Sequence, residues 1–474
     1  MSGWIGLRTP GPKSLMRACC IFIAAVLIRG LFFLGALQHP SAVQQPDSGI
    51  YITLAENLLV SGGLYASGKP VPTYLVRTPG YPIFLAAVLW ITGGGLMGVV
   101  LVQVLLDSAS CVLISRLGER VWQGTGLIAG LLAVLNPGMI AYSHFVLSDS
   151  LFLLLFLIAL IGTIRFLVKP TWGTALGIGV ALGSAAYVRS TVVYLPILLF
   201  FLFLICLRVR HREDWRRAIE KTLLVIAVFI LCLLPWLVRN HEEHGRFSLS
   251  AQAGEHLLQY IVPFVWQHSK EVDFLDGMKR TGEEFRERAK KEGLDTSHAN
   301  PLDVDALQVK MAVEYLRQEP VSAFLKAWAV GALKNLFAPA LVDMSGLMGI
   351  ERPRFFSVEG RTTPEKVWNF VRSIQGTFGW VVIGSMIWLL AARAVDLWGL
   401  VMVMRERLWE GALMCLVILY YLVISGPVGY AKYRLPIEPI LIVLLAIGIR
   451  DLYGRWMRKG GGDASEKPRA AEGK

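Results

Sequence analysis

Charge is scarce in this sequence. Asp, Glu, Lys and Arg make up 17% of its 474 residues, where a soluble domain carries about 25%. That shortage excludes an ordinary globular enzyme built around one core, and it excludes a disordered chain, which is rich in charge and poor in apolar residues. Cysteine is scarce as well, with six in all. Cys19, Cys20, Cys111, Cys206, Cys232 and Cys415 lie in or beside apolar stretches and form no CxxC. They read as small apolar packing residues rather than a disulfide framework. No P-loop, HExxH or GxSxG is present, so the soluble-enzyme chemistries those motifs carry are excluded.

What the chain has is apolar length. Hydrophobic residues make up 54%, gathered in runs that approach the roughly 20 residues a bilayer span needs. We expect an all-α polytopic membrane protein, a bundle of about ten spans near residues 18–37, 96–115, 126–142, 151–168, 172–187, 192–207, 222–238, 376–404, 411–425 and 435–452. The run at 18–37 follows basic residues but exceeds a signal peptide's apolar region of about 7–15 residues, so it reads as an uncleaved first helix. Residues 81–92 and 327–342 are apolar but short, the second interrupted by Lys334, and whether they span stays open.

The net charge of +12 sorts by loop. Short loops assigned to one side hold 22 Lys and Arg, and those on the other side hold five. The long segment 239–373 is nearly balanced, 18 basic against 19 acidic residues. This asymmetry is the positive-inside bias that orients membrane proteins, and it gives no footprint for nucleic acid. An even number of spans places both termini in the cytoplasm. The expected organisation is an N-terminal membrane module over 1–238 with an external loop at 38–95, an external cap over 239–373, C-terminal spans over 374–459, and a disordered tail from Gly460.

Within the external loop, residues 47–59 predict an amphipathic helix with Ile50, Tyr51, Leu54, Ala55, Leu58 and Leu59 on one face, stopped by Gly62-Gly63. It should lie on the membrane surface or against neighbouring spans. The cap should be helical over 282–291 and 304–317. Inside the membrane, Arg29 and Asp107 sit about 12 Å and about 17 Å from the outer ends of their spans. At that depth unpaired charges are costly, so a structural ion pair is expected, with a proton or ion site as the functional alternative.

Charged residues recur at the outer ends of spans: Asp47, Lys69, Arg77, His144, Asp149, Arg189, Arg239, Lys432 and Arg434. Singly, each has a plain explanation. Asp47 and Asp149 could cap the helices they precede, the cations could be snorkelling anchors, and Tyr51 could be helix-face packing rather than a cavity wall. Together they could converge above the bundle on an anionic lipid headgroup and a second substrate. His241 and His244 share a helical spacing, too little on its own for a metal site.

These residues carry a resemblance. Pro46-Asp47-Ser48-Gly49-Ile50-Tyr51, Gly62-Gly63-Leu64-Tyr65 and Arg77-Thr78-Pro79-Gly80-Tyr81-Pro82 look like the first external loop of bacterial members of the dolichyl-phosphate-mannose–protein mannosyltransferase family. That family belongs to the GT-C membrane glycosyltransferases, with the aminoarabinose transferase that modifies lipid A. Val146-Leu147-Ser148-Asp149-Ser150, Val188-Arg189-Ser190-Thr191, Pro235-Trp236-Leu237-Val238-Arg239-Asn240 and Lys432-Tyr433-Arg434-Leu435-Pro436 resemble later family motifs in the same order.

The resemblance implies a GT-C-like bundle in the bacterial inner membrane and inverting transfer of a sugar from a polyprenyl-phosphate carrier to a lipid, glycan or protein. It implies Asp47 as catalytic base and Asp149 as a supporting acid. Phosphate departure needs cations, for which Arg77, Arg189, Arg239, Lys432 and Arg434 are candidates; Tyr51, Lys69 and His144 are candidate cavity residues. Some relatives carry two adjacent acids where this chain has Asp47-Ser48. With so few carboxylates we expect metal-independent chemistry and no cofactor, a divalent metal staying open. An oligosaccharide ligase or polymerase, or a lipid or sugar transporter, is the alternative. Transporters place ionisable groups near the midplane at repeat interfaces, unlike the outer-rim charges here.

Overall fold

A computed structural model of the chain describes residues 11–64, 75–296, 298–350, 358–359, 363–373 and 377–462. Among these no strand forms. The N-terminal helices are α1 (Pro12–Gln38), α2 (Ser48–Ser61), α3 (Gly80–Thr92), α4 (Leu96–Val121), α5 (Gly126–Val134), α6 (Pro137–His144), α7 (Asp149–Val168), α8 (Trp172–Val188), α9 (Leu195–Val209) and α10 (Trp215–His244). The long polar segment holds α11 (Ala253–Glu255), which runs through a π-helical turn, His256–Ile261, into α12 (Val262–Ser269). It continues with α13 (Phe274–Lys291), α14 (Pro301–Leu316), α15 (Val321–Phe337) and α16 (Thr363–Ser373). The chain closes with α17 (Thr377–Glu406), α18 (Leu408–Ile424), α19 (Ala431–Arg434) and α20 (Glu438–Gly462).

Each expected span falls mainly on helical chain, except that 126–142 is broken into two helices, and the helices differ in length from the expected spans. Six helical stretches are long and apolar enough to cross a membrane: α1, α4, α7, Ser190–Val209, α10 and α17. A seventh is the pair α5 and α6, bent by 50°. The helices α8 and α18 are apolar but 17 residues each, and α3 has 13. The expected last span, 435–452, falls mostly in α20, which is not among these helices. Among the described residues the chain is therefore a multi-pass membrane protein with six or seven spans by length and composition, rather than a fixed ten.

The bend between α5 and α6 has a chemical cause. Pro137 has no N–H to give the carbonyl four residues back, and Asn136 starts a new helix by accepting the Met139 N–H at 3.0 Å. The Ala133 carbonyl is left with only the Asn136 backbone N–H, at 3.3 Å, at a helix end whose last carbonyls need further partners. Arg29 answers them: its guanidinium donates to the carbonyls of Val134 and Ala133 at 3.2 and 3.4 Å, and to Asp107 Oδ2 at 2.5 Å. Both charged side chains are buried. The expected ion pair forms, and it also repairs a broken helix.

Other helices depart from expectation at their ends. The helix α10 continues six residues past its expected end at Val238, through Arg239 to His244, and is closed by Gly245 at φ +73°. In the cap, α13 begins eight residues before the predicted Gly282. Gly460–Gly462 continue α20 rather than opening the tail; the rest of the tail lies outside the described residues. Within residues 239–373, Leu258 of the π-helical turn and Val262 and Trp266 of α12 cluster with Phe285 of α13 and with Leu307 and Met311 of α14.

The predicted loop helix forms as α2, ended by Gly62 at φ +70°, a left-handed conformation that glycine adopts without steric cost. It does not lie free on a membrane surface. Tyr51 and Ala55 join the main core of the bundle, while Leu54 packs with Ala251 and Leu302 of the long segment. Leu59 is exposed. This helix is thus wedged between bundle and cap, which pins the residue at its start, Asp47.

Candidate active site

Asp47 occupies the N-cap position of α2 but makes no capping hydrogen bond. Its Oδ1 instead accepts from Arg77 Nη2 at 3.0 Å and its Oδ2 from Lys432 Nζ at 3.0 Å. Capping of α2, the plain explanation, fails.

Each partner arrives by a different local device. Arg77 precedes Thr78-Pro79-Gly80 at the head of α3, where a Cβ on residue 80 would lie 2.6 Å from the Tyr187 carbonyl oxygen. Only glycine lets α3 approach the end of α8 so closely, and that approach sets the height of Arg77. Lys432 sits in the short α19. Tyr430, at the N-cap position of α19, takes Asn335 Oδ1 on its backbone N–H at 2.9 Å. Its hydroxyl donates to Asp343, which also accepts from the Tyr142 hydroxyl at 2.9 Å.

A second pair stands behind the first. Asp149 begins α7 and bonds Arg189, which follows α8. Asp149's side chain is 1% exposed and Asp47's is 42% exposed, so a substrate can reach Asp47 and not Asp149. The two pairs sense each other: Arg189 helps hold Asp47 ionised, and Asp149 does the same for Lys432. Burial opposes the charge of Asp47, but Lys432 and Arg77 outweigh it and hold its carboxyl below the ordinary value. Burial likewise opposes the charges of Lys432 and Arg189, and the carboxylates, Asp149 first, raise both above their ordinary values. Among the described residues two carboxylates thus face three cations, leaving one positive charge in excess. Arg77 also keeps Nε and Nη1 buried with no hydrogen-bond partner among the described residues, two donors left over for an anion.

Tyr51 closes one side. It is nearly buried, edge-on to Tyr81 at 4.8 Å, and lies under the Arg77 guanidinium at 5.7 Å. It is therefore both a packing residue and a wall of the site. Tyr433 and Tyr260 lie within electrostatic reach, of Arg189 and Lys432 in the first case and of Asp47 and Arg77 in the second. Nothing in the sequence singled out Tyr260, which comes from the π-helical turn of the cap.

The remaining candidates are placed elsewhere. Arg434 is buried, donating to Glu438 at 2.7 Å and to the carbonyls of Asn335, Leu336 and Ala338 at 2.9–3.2 Å. Its guanidinium ties α19 to the end of α15. Arg239 pairs with Glu243 at 2.5 Å and covers Trp236. His144 is not a cavity residue: it is wholly buried, its ring nitrogens at 2.7 and 3.0 Å from the carbonyls of Ile140 and Arg29. Lys69 and Tyr65 lie outside the described residues. His241 stacks on Phe247 at 4.2 Å, and no group of three metal-ligating side chains gathers among the described residues.

Comparison with known proteins bears on the same residues. Residues 76–238 match the family model of dolichyl-phosphate-mannose-protein mannosyltransferases. The resemblance read from the motifs is therefore found by the family model too, over a stretch that includes Arg77, Asp149 and Arg189. No curated protein matches the chain. Among solved structures, crystal structures of ArnT from Cupriavidus metallidurans, bound to undecaprenyl phosphate and in the apo state, are similar at 14% identity. The alignments cover 91% of this chain and 77% and 76% of theirs, with TM-scores of 0.40 and 0.39.

Proposed function

We propose that the chain is an inverting glycosyltransferase of the bacterial inner membrane, moving a sugar from a polyprenyl-phosphate carrier to a lipid, glycan or protein acceptor on the outer side. In this arrangement both termini are cytoplasmic and residues 239–373 cap the site. One observation carries the proposal: Asp47 gives up its helix cap to stand between Arg77 and Lys432, in a cluster with one positive charge in excess.

The chemistry follows from that charge balance. The donor's phosphate enters the cationic pocket and takes the free donors of Arg77 and a share of Lys432 and Arg189. As it does so, the cations hold Asp47 less tightly and its basicity rises. The acceptor's hydroxyl or amine oxygen or nitrogen attacks the anomeric carbon and its proton passes to Asp47. The bond from the anomeric carbon to the phosphate oxygen breaks, its electron pair stays on the phosphate, and the fixed cations stabilise that developing charge. Asp149 does not touch substrate; it keeps Arg189 in place. Arg434 likewise acts by positioning α19.

The test is mass analysis of envelope lipids and glycoproteins from cells with the gene, without it, and with Asp47→Asn. Loss of one sugar-sized increment from a lipid or glycoprotein in both altered strains is the expected result. An unchanged profile on deletion, or full restoration by Asp47→Asn, would overturn the proposal.

A further inference from the structure

A groove of about 600 Å³ lies between α1, α4 and α7, lined by the N-terminal half of α1, the C-terminal half of α4 and the start of α7. Its wall is almost wholly apolar, with Cys19 and Phe22 on α1, Ala109 and Val112 on α4, and Leu154 on α7, and Arg116 also lines it. The size falls within the range of about 300–1,000 Å³ typical of sites that hold small ligands.

Arg120 stands one helical turn beyond Arg116, and it feels the like charges of Arg116 and of Arg165 on α7. Both Arg116 and Arg120 are exposed. The carboxylate on the same turn, Glu119, is already occupied by Arg17 at 3.2 Å and by the backbone N–H groups of Gly124 and Gly126 at 2.9 and 3.1 Å. Among the described residues neither Arg116 nor Arg120 has a carboxylate partner. Basic residues at this end serve orientation in general, but orientation does not require an apolar groove beneath them.

We propose that the groove is a binding site for an anionic phospholipid of the leaflet opposite the Asp47 cluster. One acyl chain lies along the groove and the headgroup phosphate rests on Arg116 and Arg120. Apolar burial and phosphate pairing are both needed, because each alone is weak and reversible.

The experiment is native mass spectrometry of the full chain released from vesicles containing equal phosphatidylglycerol and phosphatidylcholine. The double variant Arg116→Gln/Arg120→Gln should lower retained phosphatidylglycerol by roughly tenfold while phosphatidylcholine is unchanged. A bulky Ala109→Phe, which fills the groove without touching the charges, should lower it as well. Arg216→Gln, at a distant exposed arginine, should have no effect, and the melting temperature of each variant in detergent checks that it is folded. Equal loss with Arg216→Gln would mean diffuse surface attraction. Retention untouched by Ala109→Phe would mean the groove holds no acyl chain. Either result overturns the site.

Discussion

Asp47 and Lys432 are 385 positions apart in the chain, yet the lysine Nζ donates to the aspartate Oδ2 at 3.0 Å. The contact joins the loop after the first span to the short helix before α20, and it holds the Asp47 carboxylate at the start of α2 between cations instead of in a helix cap.

Asp47→Asn should reduce turnover by about 10²–10⁴-fold, the usual worth of a general base. Because it also removes a negative charge from an anion pocket, donor affinity should stay the same or tighten. Carrier-phosphate release and donor binding, measured side by side on purified protein, check both. Near-normal turnover would remove Asp47 from the role of base.

Lys432→Met removes the largest favourable charge acting on Asp47, so the carboxyl should move up toward its ordinary value. In the parent protein the folded value is depressed. The stabilisation from the pair is therefore complete above the ordinary carboxylate value of about 3.9 and is lost as pH falls below it. The acid limb of kcat/KM should accordingly lie below that value in the parent and shift upward in Lys432→Met. The pH-rate profile tests the direction, and turnover should fall about 10²–10³-fold.

Asp149→Ala should behave differently from Asp47→Asn. It leaves the guanidinium of Arg189 without its carboxylate in a largely buried place, a loss of about 3–5 kcal/mol. Thermal unfolding in detergent should show a marked drop for Asp149→Ala and little for Asp47→Asn. Equal stability of the two variants would contradict the division of labour between the exposed and the buried carboxylate.

Arg29→Met alone should strongly destabilise the fold, since Asp107 and the carbonyls of α5 would lose their partner. Adding Asp107→Leu should recover much of that loss, because replacing both members of a buried pair is often neutral. Transfer activity that survives in the folded double variant would mark the pair as structural. Selective loss of activity would restore the ion-site alternative.

Tyr430→Phe should act through Lys432 without contacting substrate. It frees α19 from Asp343, so the acid limb should move in the same direction as in Lys432→Met but less. An effect on stability without any change in the pH profile would make Tyr430 merely structural.

Much of this was legible in the linear chain. Apolar runs place helices reliably because a span must satisfy its own backbone hydrogen bonds, and the order of short motifs pointed to Asp47, Arg77, Asp149, Arg189 and Lys432. The motifs did not distinguish Lys432 from Arg434, two residues away in the same run. Nor did they separate His144 from the true rim: two residues after the expected end of its span, it turns inward to two carbonyls. Tyr260 carried no signal at all, since its relevance depends on where the cap folds back.

By itself, then, the amino-acid order determined that this is a multi-pass helical membrane protein, which way its charges are biased, and which short stretches carry charged residues in the order of a known family's motifs. Those properties follow from local composition and from the solvation of each segment. Only the tertiary structure decided which charged side chains meet, because a cation is a phosphate ligand or a structural tie according to the partners left free once distant helices have packed.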